Sequence, residues 1–131
     1  MIGLDTNILL RYLVQDDPVQ SPIATHLIED RLGEDEPGFV TMVAMVETAW
    51  VLERTYDFSD ADIAAAIERV LQIDVLVVEN EQDVFTAMIE LVEGRGSFAD
   101  ALIGSRCTGA GCLRTLTFDR KALRLPGFEL P

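Results

Sequence analysis

The chain has 131 residues, 49% of them hydrophobic, and its 23 acidic and 10 basic side chains give a formal net charge of −13. This length fits one domain, expected over residues 1–131, and the hydrophobic content suffices for a packed core, which excludes a disordered chain. No apolar run approaches the roughly 20 residues of a membrane-spanning helix, and no basic segment precedes an apolar one as in a secretory signal, so we expect a cytoplasmic protein.

Strand-like and helix-like segments alternate along the whole chain. The predicted order is a strand over 2–4, helices over 6–14 and 17–32, a strand over 39–40, helices over 41–56 and 59–73, a strand over 75–78, helices over 80–93 and 97–106, a strand over 113–117, a helical turn over 119–123 and an edge strand over 128–130. The apolar, mostly β-branched run Val75–Val78 is typical of a strand buried on both faces. This alternation predicts an α/β fold, a three-layer α/β/α sandwich with a central, mostly parallel sheet.

Four carboxylates stand apart from other charged residues. They are Asp5, alone in 1–10, Glu47, alone in 38–52, Asp100, alone in 96–105, and Asp119, which follows the strand-like 116–118. A carboxylate in apolar surroundings is costly unless it is paired or bound to a metal. Taken singly, most have a structural explanation, because an acidic residue stabilises a helix N-terminus. Taken together, they predict one acidic pocket at the carboxyl edge of the sheet, where ligands of such folds bind.

The chemistry of this acidic set favours a hard cation. Carboxylate oxygens suit Mg²⁺ or Mn²⁺, which keep waters for a substrate phosphate. The one histidine, His26, falls on the polar side of the second predicted helix. Phosphodiester cleavage by a pair of imidazoles is therefore excluded, and metal-activated water is the remaining route to it.

The charge is unevenly distributed. Residues 1–94 hold 4 basic and 20 acidic side chains, a net charge of −16, whereas residues 95–131 hold 6 basic and 3 acidic ones, a net charge of +3. Two of those three acids, Asp100 and Asp119, belong to the predicted metal set. Once cations neutralise them, the C-terminal segment suits a polyanion, although ordinary surface arginines are the alternative. The candidate contacts are Arg95, Arg120 and Lys121.

The two cysteines, Cys107 and Cys112, are separated by Thr-Gly-Ala-Gly, which matches no common zinc pattern, and no histidine lies near them. We expect two small buried thiols, with a loop disulfide as the alternative.

Four short motifs contain the isolated carboxylates. They are Leu4-Asp5-Thr6-Asn7, Val46-Glu47-Thr48-Ala49-Trp50-Val51-Leu52, Phe98-Ala99-Asp100-Ala101-Leu102-Ile103 and Thr117-Phe118-Asp119-Arg120-Lys121-Ala122. In this order, and over nearly the whole chain, they resemble PIN domains and, more narrowly, the VapC toxins of bacterial toxin–antitoxin modules.

The resemblance implies a metal-dependent endoribonuclease, the toxin of a type II toxin–antitoxin system, which cuts single-stranded or loop RNA, often transfer RNA. Such toxins are held silent by a cognate antitoxin protein and usually form homodimers. The implied ligands of Mg²⁺ or Mn²⁺, direct or through water, are Asp5, Glu47, Asp100 and Asp119. The implied supporting residues are Thr6, Asn7 and Thr117.

Two other enzyme classes built on a similar sheet do not fit the sequence. A phosphoryl-transfer site of the haloacid-dehalogenase type needs a second aspartate two positions after Asp5, where Asn7 stands. A response-regulator receiver needs a phosphorylatable aspartate after a central strand, where the chain offers only Glu79. A catalytically degenerate, protein-binding PIN-like module and a nuclease acting on DNA stay open as alternatives.

Overall fold

Six helices and five short strands make up the fold, and the computed structural model describes every residue from Met1 to Pro131. The helices are α1 Thr6–Val14, α2 Gln20–His26, α3 Met42–Arg54, α4 Asp60–Leu71, α5 Glu81–Val92 and α6 Phe98–Gly109. The strands are β1 Ile2–Gly3, β2 Gly38–Val40, β3 Leu76–Val78, β4 Thr115–Leu116 and β5 Phe128–Glu129. A π-helical turn, Leu27–Arg31, extends α2, and a 3-10 helix, Arg120–Arg124, separates β4 from β5.

All strand pairs are parallel, but the strands form two sheets. One sheet has the order β1-β2-β3, with Gly38 of β2 opposite both Ile2 and Leu76. The other contains β4 and β5, with Thr115 opposite Phe128. The predicted α/β class with parallel strands and intervening helices is confirmed. The structure adds that β1 and β4 each keep one edge without a strand partner.

Polar side chains start most of the helices. Each accepts a hydrogen bond from an otherwise unpaired backbone N–H of the first turn, which stabilises the helix start. They are Asp5 for α1, Thr41 for α3, Ser59 for α4, Ser97 for α6 and Asp119 for the 3-10 helix. The carboxyl ends of β1, β2 and β4 are each followed within three residues by such a cap.

The core is one cluster of 28 buried hydrophobic residues. The second helix was expected to have Pro18 at its first position and begins two residues later, at Gln20; the Asp17 carboxylate accepts hydrogen bonds from the N–H groups of Val19 and Gln20 ahead of it. No helix has the length and apolar character required to cross a membrane.

Two predictions about burial are wrong. The strand over Val75–Val78 is not buried on both faces, because Leu76 and Val78 are buried on one face whereas Val77, on the other, is 44% exposed. The cysteines are free thiols, and Cys112 is exposed instead of buried. It follows the end of α6 in a turn that contains Gly111 at a φ of 95°, outside the packed part of the helix.

Helix α6 lies close to β5. A Cβ placed on Gly104 would stand 2.5 Å from Cε2 of the buried Phe128 ring, so glycine is needed for this approach. We predict that Gly104→Ala destabilises the protein by about 1–2 kcal/mol, because overpacking costs more than the roughly 1 kcal/mol that alanine gains in a helix. Urea denaturation measures the change.

Gly109→Ala is the matched control, because this position lies in the same helix and its Cβ would meet nothing closer than Arg106 at 3.7 Å. This variant should be as stable as the wild type or more so. A Gly104→Ala protein with the same gain as Gly109→Ala would contradict the close contact with Phe128.

The Asp5 cap yields a second prediction. Its Oδ1 accepts a hydrogen bond from the Thr6 N–H at 2.8 Å. Asp5→Ala should therefore lower the free energy of unfolding by about 0.5–2 kcal/mol, whereas Asp5→Asn should change it little because asparagine caps equally well. Thermal and urea unfolding in chelator measure this contribution without bound metal. Equal stability of Asp5→Ala and wild type would show that the cap contributes nothing.

Candidate active site

The largest cavity, about 470 Å³, lies between α3, α4, the α5–α6 turn, the start of α6 and the 3-10 helix. This volume is within the range of pockets that bind small ligands. Its charged lining residues are Glu53, Asp60, Asp100, Asp119, Lys121 and Arg124. The cavity therefore combines carboxylates with cations, and two of the carboxylates belong to the predicted acidic set.

Asp100 is placed by the start of α6. The Ser97 hydroxyl accepts a hydrogen bond from the Asp100 N–H at 3.1 Å, and the adjacent Phe98 is anchored in the core. Just before this cap, a Cβ on Gly96 would lie 2.6 Å from Leu125 Cδ1. This close approach packs the α5–α6 turn against the end of the 3-10 helix, which brings the elements that carry Asp100 and Asp119 to one cavity.

Asp119 is held by a tight turn after β4. Its N–H donates to the Thr117 hydroxyl at 3.0 Å, and its Oδ1 accepts from the Lys121 N–H at 2.9 Å. Thr117 therefore fixes the backbone that presents Asp119, in keeping with a supporting position. The carboxylate itself is exposed and keeps Oδ2 free of hydrogen bonds within the chain.

Glu47 lies on the exposed face of α3, in a hollow of about 360 Å³ next to the cavity. Val46 and Trp50 line both spaces, so the hollow and the cavity share a wall. The apolar neighbours of Glu47 in the sequence led us to expect an apolar environment. The structure corrects this, because α3 packs its opposite face, including Met45 and Leu52, into the core and leaves Glu47 in solvent.

Asp5 is exposed at the end of β1 and lines neither the cavity nor the adjoining hollow. The neighbouring Thr6 is buried. Asn7 lines a separate small hollow, of about 210 Å³, beside α2. The structure therefore brings Asp100 and Asp119 together, places Glu47 next to them, and leaves Asp5, Thr6 and Asn7 outside the cavity.

The donor set fits a hard divalent cation at two of its four positions. Asp100 and Asp119 offer carboxylate oxygens to one cavity, and Mg²⁺ is commonly held by one or two carboxylates while it keeps several waters. No three acidic, histidine or cysteine side chains lie close enough together to hold a metal ion. The arrangement suits an ion that remains open to waters and a substrate phosphate more than a closed cage.

The basic residues of the C-terminal segment divide into paired and unpaired groups. Arg95 contacts Glu90 and Glu93, Arg106 contacts Asp83, and Arg114 contacts Glu129. The hydrogen bond and charge of Glu90, helped by Glu93, raise the pKa of the Arg95 guanidinium. Within residues 95–131, the cations without an ion pair all lie on the 3-10 helix and are Arg120, Lys121 and Arg124.

Sequence reasoning missed two residues of this cavity, Arg124 and Trp50. Arg124 stands three positions after Lys121, which is one turn of a 3-10 helix, and the spacing was a usable signal. Trp50 stands three positions after Glu47, on the same face of α3. Arg124 is steadied by a hydrogen bond, 3.4 Å long, from its guanidinium to the Gly94 carbonyl.

Comparison with known proteins agrees with the resemblance of the motifs. The model of the PIN domain family matches residues 2–127. No curated protein matches the chain. PIN domains are generally nucleases and typically use divalent metal ions, which accords with the carboxylates and cations of the cavity. With nearly every residue inside the match, the chain belongs to the PIN domain family.

Proposed function

We propose that this protein is a metal-dependent endoribonuclease and the toxin of a type II toxin–antitoxin system of the VapC kind. The observation that carries the nuclease proposal is the cavity in which Asp100 and Asp119 lie together with Lys121 and Arg124, in a chain of the PIN family. The narrower toxin assignment rests on the motifs around the four carboxylates.

The proposed metal ligands are Asp100 and Asp119, with Glu47 and Asp5 acting through water. A bound Mg²⁺ or Mn²⁺ supplies a water of lowered pKa and offsets negative charge on the scissile phosphate. The chain's own contribution is to hold the two aspartates on rigid helix starts, through the Ser97 cap of α6 and the Thr117 turn. A site on such elements keeps its geometry without substrate, which favours catalysis.

The proposed path of the RNA follows the 3-10 helix. Arg120, Lys121 and Arg124 have no carboxylate partner, so their charge is available to phosphates. Arg95 is a weaker candidate than the sequence suggested, because two glutamates already neutralise it. The remainder of the chain is acidic and repels RNA, which concentrates binding at this one segment.

The toxin proposal includes two binding partners, a cognate antitoxin and a second copy of the chain. Several large apolar side chains support protein contacts, because they are more than half exposed in the isolated chain. They include Val43 at 77%, Leu113 at 100% and Phe118 at 87% exposed.

One observation favours the alternative of a catalytically degenerate binding module. The carboxylates do not form a group of three that could hold an ion. Incubation of single-stranded RNA and single-stranded DNA with the protein, in Mg²⁺, in Mn²⁺ and in chelator, separates the three cases. Cleavage of RNA alone supports the proposal, and cleavage of DNA supports a nuclease that acts on DNA. If neither is cleaved, the result supports the binding module.

The catalytic prediction concerns Asp100. Asp100→Asn should abolish metal-dependent RNA cleavage, a loss of at least about a hundredfold given what one electrostatic group contributes to a transition state. Products from the wild type should carry 5′-phosphate and 3′-hydroxyl ends, because the attacking group is water and not the ribose hydroxyl. End labelling and mass spectrometry of the products measure both outcomes.

Asp83→Asn is the control for loss of one carboxylate, since Asp83 lies on α5 and pairs with Arg106 outside the cavity. It should retain cleavage. Products with 2′,3′-cyclic phosphate, or full wild-type activity in chelator, would contradict the mechanism.

The unpaired cations yield a salt-dependence prediction. Lys121→Gln and Arg124→Gln should each weaken RNA binding and lower the slope of log Kd against log salt concentration by about 1, because each removes one phosphate contact. Fluorescence anisotropy of a labelled RNA at several salt concentrations measures the slope. Arg31→Gln, which removes an exposed cation from the acidic region, should leave the slope unchanged. Equal effects of all three changes would show that the 3-10 helix is ordinary surface.

A further inference from the structure

The chain has a single tryptophan, and it is exposed. Trp50 lies on α3 with 56% of its surface in solvent. It belongs to a stripe on this helix, spaced by four, three and four positions, that consists of Val43, Glu47, Trp50 and Arg54. A large aromatic ring is costly to leave in water, so its exposure beside a cavity indicates a surface that binds a ligand.

A cationic side chain lies next to the indole ring. The Arg54 guanidinium lies 5.4 Å from the ring centroid, within the range of a cation–π contact, and Arg54 has no carboxylate partner. This contact restrains the ring on one side. The ring therefore presents an aromatic surface with a positive charge beside it.

Trp50 also joins the two spaces of the candidate active site. It lines the cavity that holds Asp100 and Asp119 and the hollow that holds Glu47. The cavity wall opposite includes Lys121. These groups suit the parts of one nucleotide. The aromatic ring can stack on the base, the cation can contact a phosphate, and the carboxylates can hold a metal ion at the phosphate that is cut.

We propose that Trp50 is a stacking platform for one unpaired base of the RNA substrate, beside the phosphate that is cut, with Arg54 positioning the ring. This inference rests on the proposed ribonuclease function and assigns a substrate-binding role to a residue outside the acidic set. A base can lie on the indole only when it is unstacked from its neighbours, so the substrate must be single-stranded at this point. Stacking accepts any base, so Trp50 contributes affinity and position without base identity.

The single tryptophan gives a direct measurement. The experiment titrates the Asp100→Asn protein, which should bind without cutting, with a single-stranded 12-nucleotide RNA of mixed sequence, and follows fluorescence excited at a wavelength that selects tryptophan. Binding is measured in parallel by anisotropy of a labelled copy of the RNA. We expect the tryptophan signal to be quenched and to saturate with the anisotropy. A duplex of the same sequence, and a 12-unit strand that lacks bases, should bind without this quenching.

Substitutions of Trp50 measure how much the ring contributes to the affinity for RNA. Trp50→Ala should weaken binding of the single-stranded RNA by about 5- to 150-fold, the range of one stacked base, and Trp50→Phe should restore most of it. In the active protein, Trp50→Ala should raise KM more than it lowers kcat. Phe85→Ala is the matched control, because Phe85 is an aromatic residue of α5, 47% exposed, that lines neither space.

Three outcomes would overturn the proposal. The first is RNA binding by anisotropy with no change in Trp50 fluorescence, and the second is wild-type affinity in Trp50→Ala. The third is dissociation of a dimer in Trp50→Ala, seen by sedimentation, which would assign the ring to contact between copies. If RNA is bound and cut but the Trp50 fluorescence does not change, the stacking proposal fails while the ribonuclease proposal stands. If RNA is neither cut nor bound, the ribonuclease proposal fails with it.

Discussion

The short passage from strand to helix is the constraint on which the rest of this structure depends. One to three residues separate β1 from α1, β2 from α3, β3 from α5 and β4 from the 3-10 helix. So short a link leaves helix N–H groups unpaired at the edge of the sheet, and polar side chains must satisfy them. The start of α3 is also stabilised by a residue that follows β3, because Glu79 Oε1 accepts a hydrogen bond from the Met42 N–H at 2.9 Å. Two of the four isolated carboxylates, Asp5 and Asp119, act at such strand ends as caps.

Local signals in the sequence predicted the helices well. The bounds of α1 agree with the prediction, and the helices predicted to start at 41, 59 and 97 are capped there by Thr41, Ser59 and Ser97, because capping depends on residues within one turn. Division of the strands into two sheets was not predictable in this way, since it depends on pairing between distant segments. The exposure of Val77 has the same origin, because it depends on which distant segments pack over that face of β3.

Of the four carboxylates isolated in the sequence, Asp100 and Asp119 share a cavity, Glu47 lies next to it and Asp5 lies outside it. Isolation in the sequence also implied an apolar setting for Glu47 that α3 does not provide. A carboxylate surrounded by apolar residues along a helix faces solvent whenever the helix packs its other side. Arg124 could have been found from its spacing to Lys121, although its place in the cavity also reflects the close approach of Gly96 to Leu125, which joins segments far apart in the chain.

The separation of the two sheets has a consequence for motion. The segment with β4, the 3-10 helix and β5 shares no strand hydrogen bonds with the β1-β2-β3 sheet. It is anchored mainly by side chains such as Ala122, Leu125 and Phe128. Cooperative units of this kind open locally at a lower free energy than global unfolding, so their amide protons exchange with solvent earlier. Asp119 and its neighbouring cations lie on that unit and Asp100 does not, so local opening of the unit would separate the two aspartates while the main core stays folded.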